Sequence, residues 1–111
     1  MRWRIASLML GLAMSALANT QAVAQPFDVK DPVIVAKGQA LFNGRCAGRC
    51  HGVDGTEGEA APILRGREYL TAPFVFATLL SGRPRTAMPS WADRYSTEEL
   101  WQLAAFVASL N

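Results

Sequence analysis

The sequence has few of the residue types that bind metals or transfer protons. Its 111 residues contain one histidine, His51, and two cysteines, Cys46 and Cys50. A structural zinc site takes four ligands of the Cys, His or carboxylate type at motif-like spacing, and the chain has no third cysteine and no second histidine. The single imidazole also argues against chemistry that needs a second histidine as acid or base.

Charged residues are sparse too, and neither sign forms a block. Eleven Lys and Arg face nine Asp and Glu, which gives a formal net charge of +2. Because no long run of like charge is present, the sequence has no acidic or basic tail. Nothing in this balance indicates binding to nucleic acid.

The longest apolar run, 5–17, is too short to span a membrane comfortably, since a span takes about 20 residues. A basic head, 1–4, precedes the run, and the small-x-small sequence Ala22-Val23-Ala24 follows it. This order predicts a secretory signal peptide over residues 1–24 and hence export to the periplasm. The alternatives are a second cleavage site at 16–18 and an uncleaved membrane anchor.

Residues 25–111 are expected to form a single domain. Removing 24 of the 111 residues leaves 87, and these carry nine Lys and Arg against nine Asp and Glu, because Arg2 and Arg4 leave with the signal peptide. A polypeptide core of this size is marginal by itself. A large apolar group attached covalently would therefore add stability as well as define a function.

The most informative stretch is the run Cys46-Ala47-Gly48-Arg49-Cys50-His51. Two thiols a few residues apart, with an imidazole directly after the second, are what covalent haem attachment requires, since the sulfurs bond the vinyl carbons and the imidazole reaches the iron. The motif predicts one haem c bound covalently through Cys46 and Cys50, with His51 as an iron ligand. A local disulfide and a site for another metal are the alternatives.

The spacer between the two cysteines has three residues, whereas the usual haem motif has two. Cysteines four positions apart still lie on one face of a helical turn. Gly48 allows the backbone between them to bulge without a Cβ clash. We therefore expect haem attachment with a distorted local geometry.

A single methionine, Met88, lies outside the predicted signal peptide. It occupies the proline-bounded loop 82–91, and a thioether ligand stabilises ferrous iron and raises the reduction potential relative to two histidines. Met88 is therefore the candidate for the sixth ligand, so that His51 and Met88 would be the metal ligands. An ordinary apolar loop residue is the alternative.

Start and stop signals predict helices along residues 25–111. The first starts at Asp31-Pro32 and runs toward Asn43-Gly44, the second starts at Thr71-Ala72-Pro73 and ends at Gly82, and the last starts with a capping box at Ser96 and Glu99. Residues 65–70 are expected to form a short helix or a turn. Gly38, inside the first helix, predicts close packing against the last helix, with simple tolerance of a weak helical position as the alternative.

Three short motifs resemble those of the small bacterial class I cytochromes c. They are Cys50-His51-Gly52-x-Asp54-Gly55, Ala61-Pro62-x-Leu64 and Ala87-Met88-Pro89-x-Trp91. The resemblance implies an all-α class I cytochrome c fold with about four short helices around one covalently bound haem, the first and last helices crossing. The chain departs from the family pattern at its three-residue spacer.

The resemblance also implies roles for two loop residues. The Pro62 backbone carbonyl would accept a hydrogen bond from the His51 ring, which fixes the ring plane and its basicity; a plain loop proline is the alternative. Leu64 would contact the haem. Trp91, from its own chemistry, either donates its indole N–H near the haem propionates or fills the core.

These observations predict a periplasmic monohaem c-type cytochrome that transfers single electrons and is not an enzyme. Its expected partners are redox proteins, with a dehydrogenase as donor and an oxidase or another cytochrome as acceptor. It is expected to be a monomer that binds no nucleic acid and inserts in no membrane after signal cleavage. The alternatives are a cytochrome subunit of a dehydrogenase complex and a haem enzyme or ligand sensor with a labile sixth ligand.

Overall fold

The computed structural model describes residues 25–58 and 60–111, and the predicted signal peptide, 1–24, lies outside the described residues. The described part is helical and has no strand; its three α-helices are α1 (Pro32–Arg45), α2 (Ala72–Ser81) and α3 (Thr97–Ala108). A π-helical turn (Ala47–His51) and a 3-10 turn (Val53–Gly55) follow α1. No helix in these ranges has both the length and the apolar character needed to cross a membrane.

The all-α class is confirmed, and the segment 65–70 forms turns, one of the two outcomes that the sequence allowed. Gly66 adopts φ 78°, which interrupts any helix there. Its backbone N–H donates to the Leu110 carbonyl oxygen at 3.0 Å. The segment is therefore fastened to the end of the chain, and the described residues contain three α-helices where about four were predicted.

All three helices begin at the predicted caps. Asp31 accepts a hydrogen bond from the Val33 backbone N–H at 2.9 Å, and Thr71 accepts one from Phe74 at 3.4 Å. Ser96 and Glu99 form a reciprocal capping box, with bonds of 3.1 and 3.0 Å. Each such cap stabilises its helix by about 1 kcal/mol.

The crossing of α1 and α3 takes place at Gly38, as the sequence predicted. A Cβ at this position would lie 1.9 Å from the Gln102 carbonyl oxygen and 2.8 Å from the Phe106 Cβ. Only a residue without a side chain allows this approach of two helices. Beside it, the rings of Phe42 and Phe106 pack with centroids 5.1 Å apart.

The core is built mainly around α3, which is buried from Leu100 to Val107. Trp101 stacks on Phe76 of α2, with ring centroids 4.0 Å apart and planes within 6°. Helix α2 carries apolar side chains on nearly all sides, but it is not buried all round, since Phe74 is 42% and Leu80 38% exposed. Helix α2 packs on α3 through one face only, which leaves other apolar side chains at the surface.

Candidate functional site

One cavity of about 260 Å³ collects the residues that the sequence singled out. The end of α1, the turn after it, α2, α3 and the two loops 60–64 and 83–91 all contribute to its walls. Most of the lining is apolar, including Phe42, Leu70, Val75, Leu79, Leu103 and Val107. Both cysteines, the histidine and Met88 line the same space.

The turn that carries Cys46 and Cys50 is wider than an α-helical turn. The His51 backbone N–H donates to the Cys46 carbonyl oxygen at 3.1 Å, and that of Gly52 donates to Ala47 at 2.9 Å. Both bonds join residues five apart, which is the π-helical pattern. Gly48 leaves helical geometry at φ 4° and ψ −116°. The extra spacer residue is therefore absorbed as a local bulge at Gly48.

Burial changes the acidity of the first thiol. Desolvation by burial, and to a smaller extent the charge of the neighbouring Cys50, raises the pKa of Cys46 to about 11. Among the described residues, no group of three or more His, Cys, Asp or Glu side chains could hold a metal ion, so the alternative of a zinc site at these cysteines lacks a ligand set.

His51 is half-buried, and its ring is held from one side by a backbone carbonyl. Its Nδ1 lies 2.7 Å from the Pro62 carbonyl oxygen. Because a carbonyl can only accept, Nδ1 carries the proton and Nε2 is left free to bind a metal. The Phe42 ring packs beside the imidazole, with centroids 6.1 Å apart.

Met88 reaches the cavity from a loop that is anchored to the end of α2. The Arg83 backbone N–H donates to the Met88 carbonyl oxygen at 3.0 Å, and the Met88 N–H donates to Thr86 Oγ1 at 3.2 Å. Gly82 ends α2 at φ 65°, and a Cβ there would lie 2.6 Å from the Ser90 nitrogen. The loop is therefore held close to the helix terminus, with the thioether half-buried.

The other two residues with roles expected from the sequence, Leu64 and Trp91, also line the cavity. Leu64 is half-buried and lines the cavity, whereas its neighbour Ile63 is outside the lining. Trp91 also lines it, and its indole Nε1 is buried without an acceptor among the described residues. Arg83 lines the cavity. A second cavity arginine, Arg45, was missed by sequence reasoning, although its place directly before Cys46 was a usable signal.

A hydrogen-bonded cluster next to the histidine was also missed. Gln39 Nε2 and Asn43 Nδ2 donate to Asp54 Oδ1 at 3.0 and 3.1 Å. The Asp54 backbone N–H donates in turn to Asn43 Oδ1 at 3.2 Å. These two bonds from Gln39 and then Asn43 hold the pKa of Asp54 below its ordinary value. The only sequence signal was a pair of amides four residues apart on the first helix.

The residues present fit a haem. A porphyrin needs apolar walls, axial ligands, and partners for its two propionate carboxylates, and its covalent c-type form needs two thiols at one edge. The cavity supplies the apolar walls, the imidazole, the thioether and both thiols. The Trp91 N–H, which has no acceptor among residues 25–58 and 60–111, and the guanidinium groups of Arg45 and Arg83 are donors suited to carboxylates.

Comparison with known proteins gives consistent matches. Residues 34–107 match the family described as cytochrome c oxidase, cbb3-type, subunit III. Subunit CcoP of the cbb3-type cytochrome c oxidase of Rubrivivax gelatinosus is 32% identical over 104 residues, which cover 89% of this chain and 34% of that protein. Cytochrome c550 of Pseudomonas aeruginosa is 29% identical over 100 residues, which cover 84% of this chain and 66% of that protein.

A solved structure shares the fold. Cytochrome cL of the marine methylotroph Methylophaga aminisulfidivorans superposes with a TM-score of 0.62 at 27% identity, over 73% of this chain and 55% of that one. The chain thus spans only part of the length of each of these relatives.

Proposed function

The chain belongs to the family described as cytochrome c oxidase, cbb3-type, subunit III, and from this premise we propose that it is a monohaem c-type cytochrome that transfers single electrons between redox proteins. One haem c would be bound through Cys46 and Cys50, and His51 and Met88 would be the ligands of its iron. The observation that carries the proposal is the convergence of both thiols, the imidazole and the thioether on one apolar cavity.

The haem, when bound, supplies a one-electron couple between ferric and ferrous iron. The protein's own residues set the reduction potential of that couple. The Pro62 carbonyl oxygen accepts a hydrogen bond from Nδ1 of His51, which orients the ring and raises its basicity. Met88 presents a thioether, which favours the ferrous state. With two protein side chains as ligands, no coordination position is left for a substrate, and we propose that the protein is not an enzyme.

Electron exchange is proposed to take place at the exposed rim of the cavity. The small and apolar residues Ala47, Gly48 and the loop 87–89 lie near the cysteines and Met88, but Ala47 is 3% exposed and so cannot belong to a docking face. The exposed part of the rim includes instead the edge-to-face pair of Tyr69 and Phe74, whose centroids lie 5.8 Å apart. Brief contacts of small area suit a carrier that turns over rapidly.

The proposed setting of this exchange is the periplasm, after cleavage of residues 1–24. The protein would act there as a monomer, taking electrons from a dehydrogenase and passing them to an oxidase or another cytochrome. The spacing of basic, apolar and small residues within 1–24 supports this location.

A fixed subunit of a larger redox complex is the second candidate. It is favoured by the family description, which is that of an oxidase subunit, and by the match to one third of subunit CcoP. Purification from the native host under mild conditions separates the two roles. A carrier elutes alone at monomer size, whereas a subunit co-elutes with an oxidoreductase.

The test of the main proposal is expression of the full chain in a host with the cytochrome maturation machinery. We expect an intact mass greater than the mature polypeptide by one haem, a reversible one-electron couple, and the iron–methionine charge-transfer band in the ferric spectrum. Met88→Ala is the matched variant, and it should keep the covalent haem and lose only that band. Colourless protein at polypeptide mass would contradict the proposal, and a high-spin wild-type spectrum would favour a haem enzyme or sensor.

A further inference from the structure

The turn that follows His51 reverses the chain in very few residues. Three backbone angles between residues 52 and 55 are in the positive φ region, at Gly52 (75°), Asp54 (53°) and Gly55 (65°). Glycine adopts such angles freely, whereas a residue with a side chain needs local support, and Asp and Asn tolerate them best. Among these three positions, Asp54 is therefore the one that carries a side chain even though positive φ is unfavourable for such a residue.

The Asp54 side chain ties the turn to α1. Its carboxylate accepts from both Gln39 and Asn43, which lie four residues apart and so on one face of the helix. Asn43 also accepts the Asp54 backbone N–H, which makes the contact reciprocal. Hydrogen bonds to a charged group are stronger than neutral ones, and Arg65 adds a favourable charge nearby.

The same turn sets the position of the segment that carries Pro62. The Gly55 carbonyl oxygen accepts two backbone bonds, from Leu64 at 3.0 Å and from Arg65 at 3.2 Å. A Cβ on Gly55 would lie 3.1 Å from the Leu64 Cβ, so turn and segment pack closely. Pro62 is two residues before Leu64, and its carbonyl oxygen faces the His51 ring. A continuous series of contacts therefore links α1 through Asp54 and Gly55 to the Pro62 carbonyl oxygen, which accepts the hydrogen bond from the His51 ring.

We propose that Asp54 is a positioning residue for the iron ligand His51. By fastening the turn 52–55 to α1, its carboxylate holds the Pro62 carbonyl oxygen at hydrogen-bond distance from Nδ1 of His51. A strong acceptor at Nδ1 makes the imidazole a better donor to iron and so lowers the reduction potential. The inference rests on the proposed function, because it assigns a role to a residue that acts through a haem ligand.

The experiment compares haem-loaded variants by reduction potential and by NMR of the ferrous protein. Asp54→Ala removes the acceptor, and we expect a higher potential and exchange of the His51 Nδ1 proton with solvent that is faster by up to about tenfold, the factor expected for loss of one hydrogen bond. Asp54→Asn keeps Oδ1 and tolerates the backbone angle but loses the charge, so both quantities should shift in the same direction by less than in Asp54→Ala. Asn43→Ala removes the helix side of the same contact. It should shift the potential and the proton exchange in the same direction as Asp54→Ala, but by a smaller amount.

A stability-matched control separates positioning from general loosening of the fold. Ser96→Ala removes the N-cap of α3, whose hydrogen bonds are confined to residues 96 and 99. It should lower the melting temperature by about 5 °C and leave the potential and the proton exchange unchanged.

Two results would overturn the inference, and they can be told apart. If Asp54→Ala loads haem and lowers the melting temperature with an unchanged potential and unchanged proton exchange, Asp54 is structural only and the proposed function stands. If the wild-type protein binds no covalent haem, the proposed function fails and this inference fails with it.

Discussion

The close approach of α1 and α3 at Gly38 makes a sharp prediction for Gly38→Ala. The added Cβ would lie 1.9 Å from the Gln102 carbonyl oxygen and 2.7 Å from its carbonyl carbon, whereas ordinary contacts start at 3.4 Å. Both neighbours are backbone atoms, so the two helices have to move apart by more than 1 Å to admit the methyl group. Overpacking of this kind costs about 1–3 kcal/mol, with backbone clashes at the upper end.

Helix propensity opposes that loss but does not cancel it. Replacing glycine by alanine inside a helix gains about 1 kcal/mol. The net expected loss is therefore about 2 kcal/mol in the free energy of unfolding, or roughly 8–16 °C in melting temperature for a domain of this size. The measurement is thermal unfolding of the haem-loaded protein followed by circular dichroism.

The same helix offers a control with the opposite sign. Gly44 also lies in α1, and a Cβ there would have no atom within 4 Å. Gly44→Ala should therefore gain up to about 1 kcal/mol and raise the melting temperature by a few degrees. If Gly38→Ala stabilised the protein as much as Gly44→Ala does, the helix crossing would not be where the structure has it.

Three further predictions follow from the site. Deletion of Gly48 restores a two-residue spacer and converts the backbone hydrogen bonds between residues five apart into bonds between residues four apart. We therefore expect the intact mass to show one covalent haem still bound. A colourless product would contradict the bulge at Gly48. Gly82→Ala places a Cβ 2.6 Å from a backbone nitrogen at positive φ, and the ferric spectrum should show weaker methionine ligation, which an unchanged charge-transfer band would refute. Because the folded-state pKa of Asp54 is lowered, its contribution to stability is present above the ordinary carboxyl pKa and is lost as pH falls through the folded value. The difference in melting temperature between wild type and Asp54→Ala should shrink over that acidic range, and a constant difference would count against it.

The parts of the fold that the sequence predicted depend on short-range chemistry. Asp31, Thr71 and Ser96 were identified as caps because each bonds a backbone N–H two or three residues away. Gly38 was a usable signal since glycine inside a helix has a cost that only close packing offsets. Local pattern was therefore enough to place the helices and their crossing.

The parts that the sequence did not predict depend on distant partners or on the cavity itself. Asp54 bonds residues 11 and 15 positions away, and no pattern in the sequence pairs them. Apolar residues lie on nearly all sides of α2, and this pattern does not reveal that Phe74 lies at the exposed edge of the cavity. The contact of Pro62 with His51 followed only from family resemblance, because spacing does not identify a backbone acceptor.

The crossing at Gly38 has a consequence for the order of events in the living cell. It joins segments about 60 residues apart, and closing a loop of that length costs roughly 4 kcal/mol in chain entropy. Because α3 is the last helix in the chain, α1 and α3 cannot meet until almost the whole polypeptide is available to fold. We expect the two thiols to stay accessible until then, because α3 supplies Leu103 and Val107 to the wall of the cavity that they line.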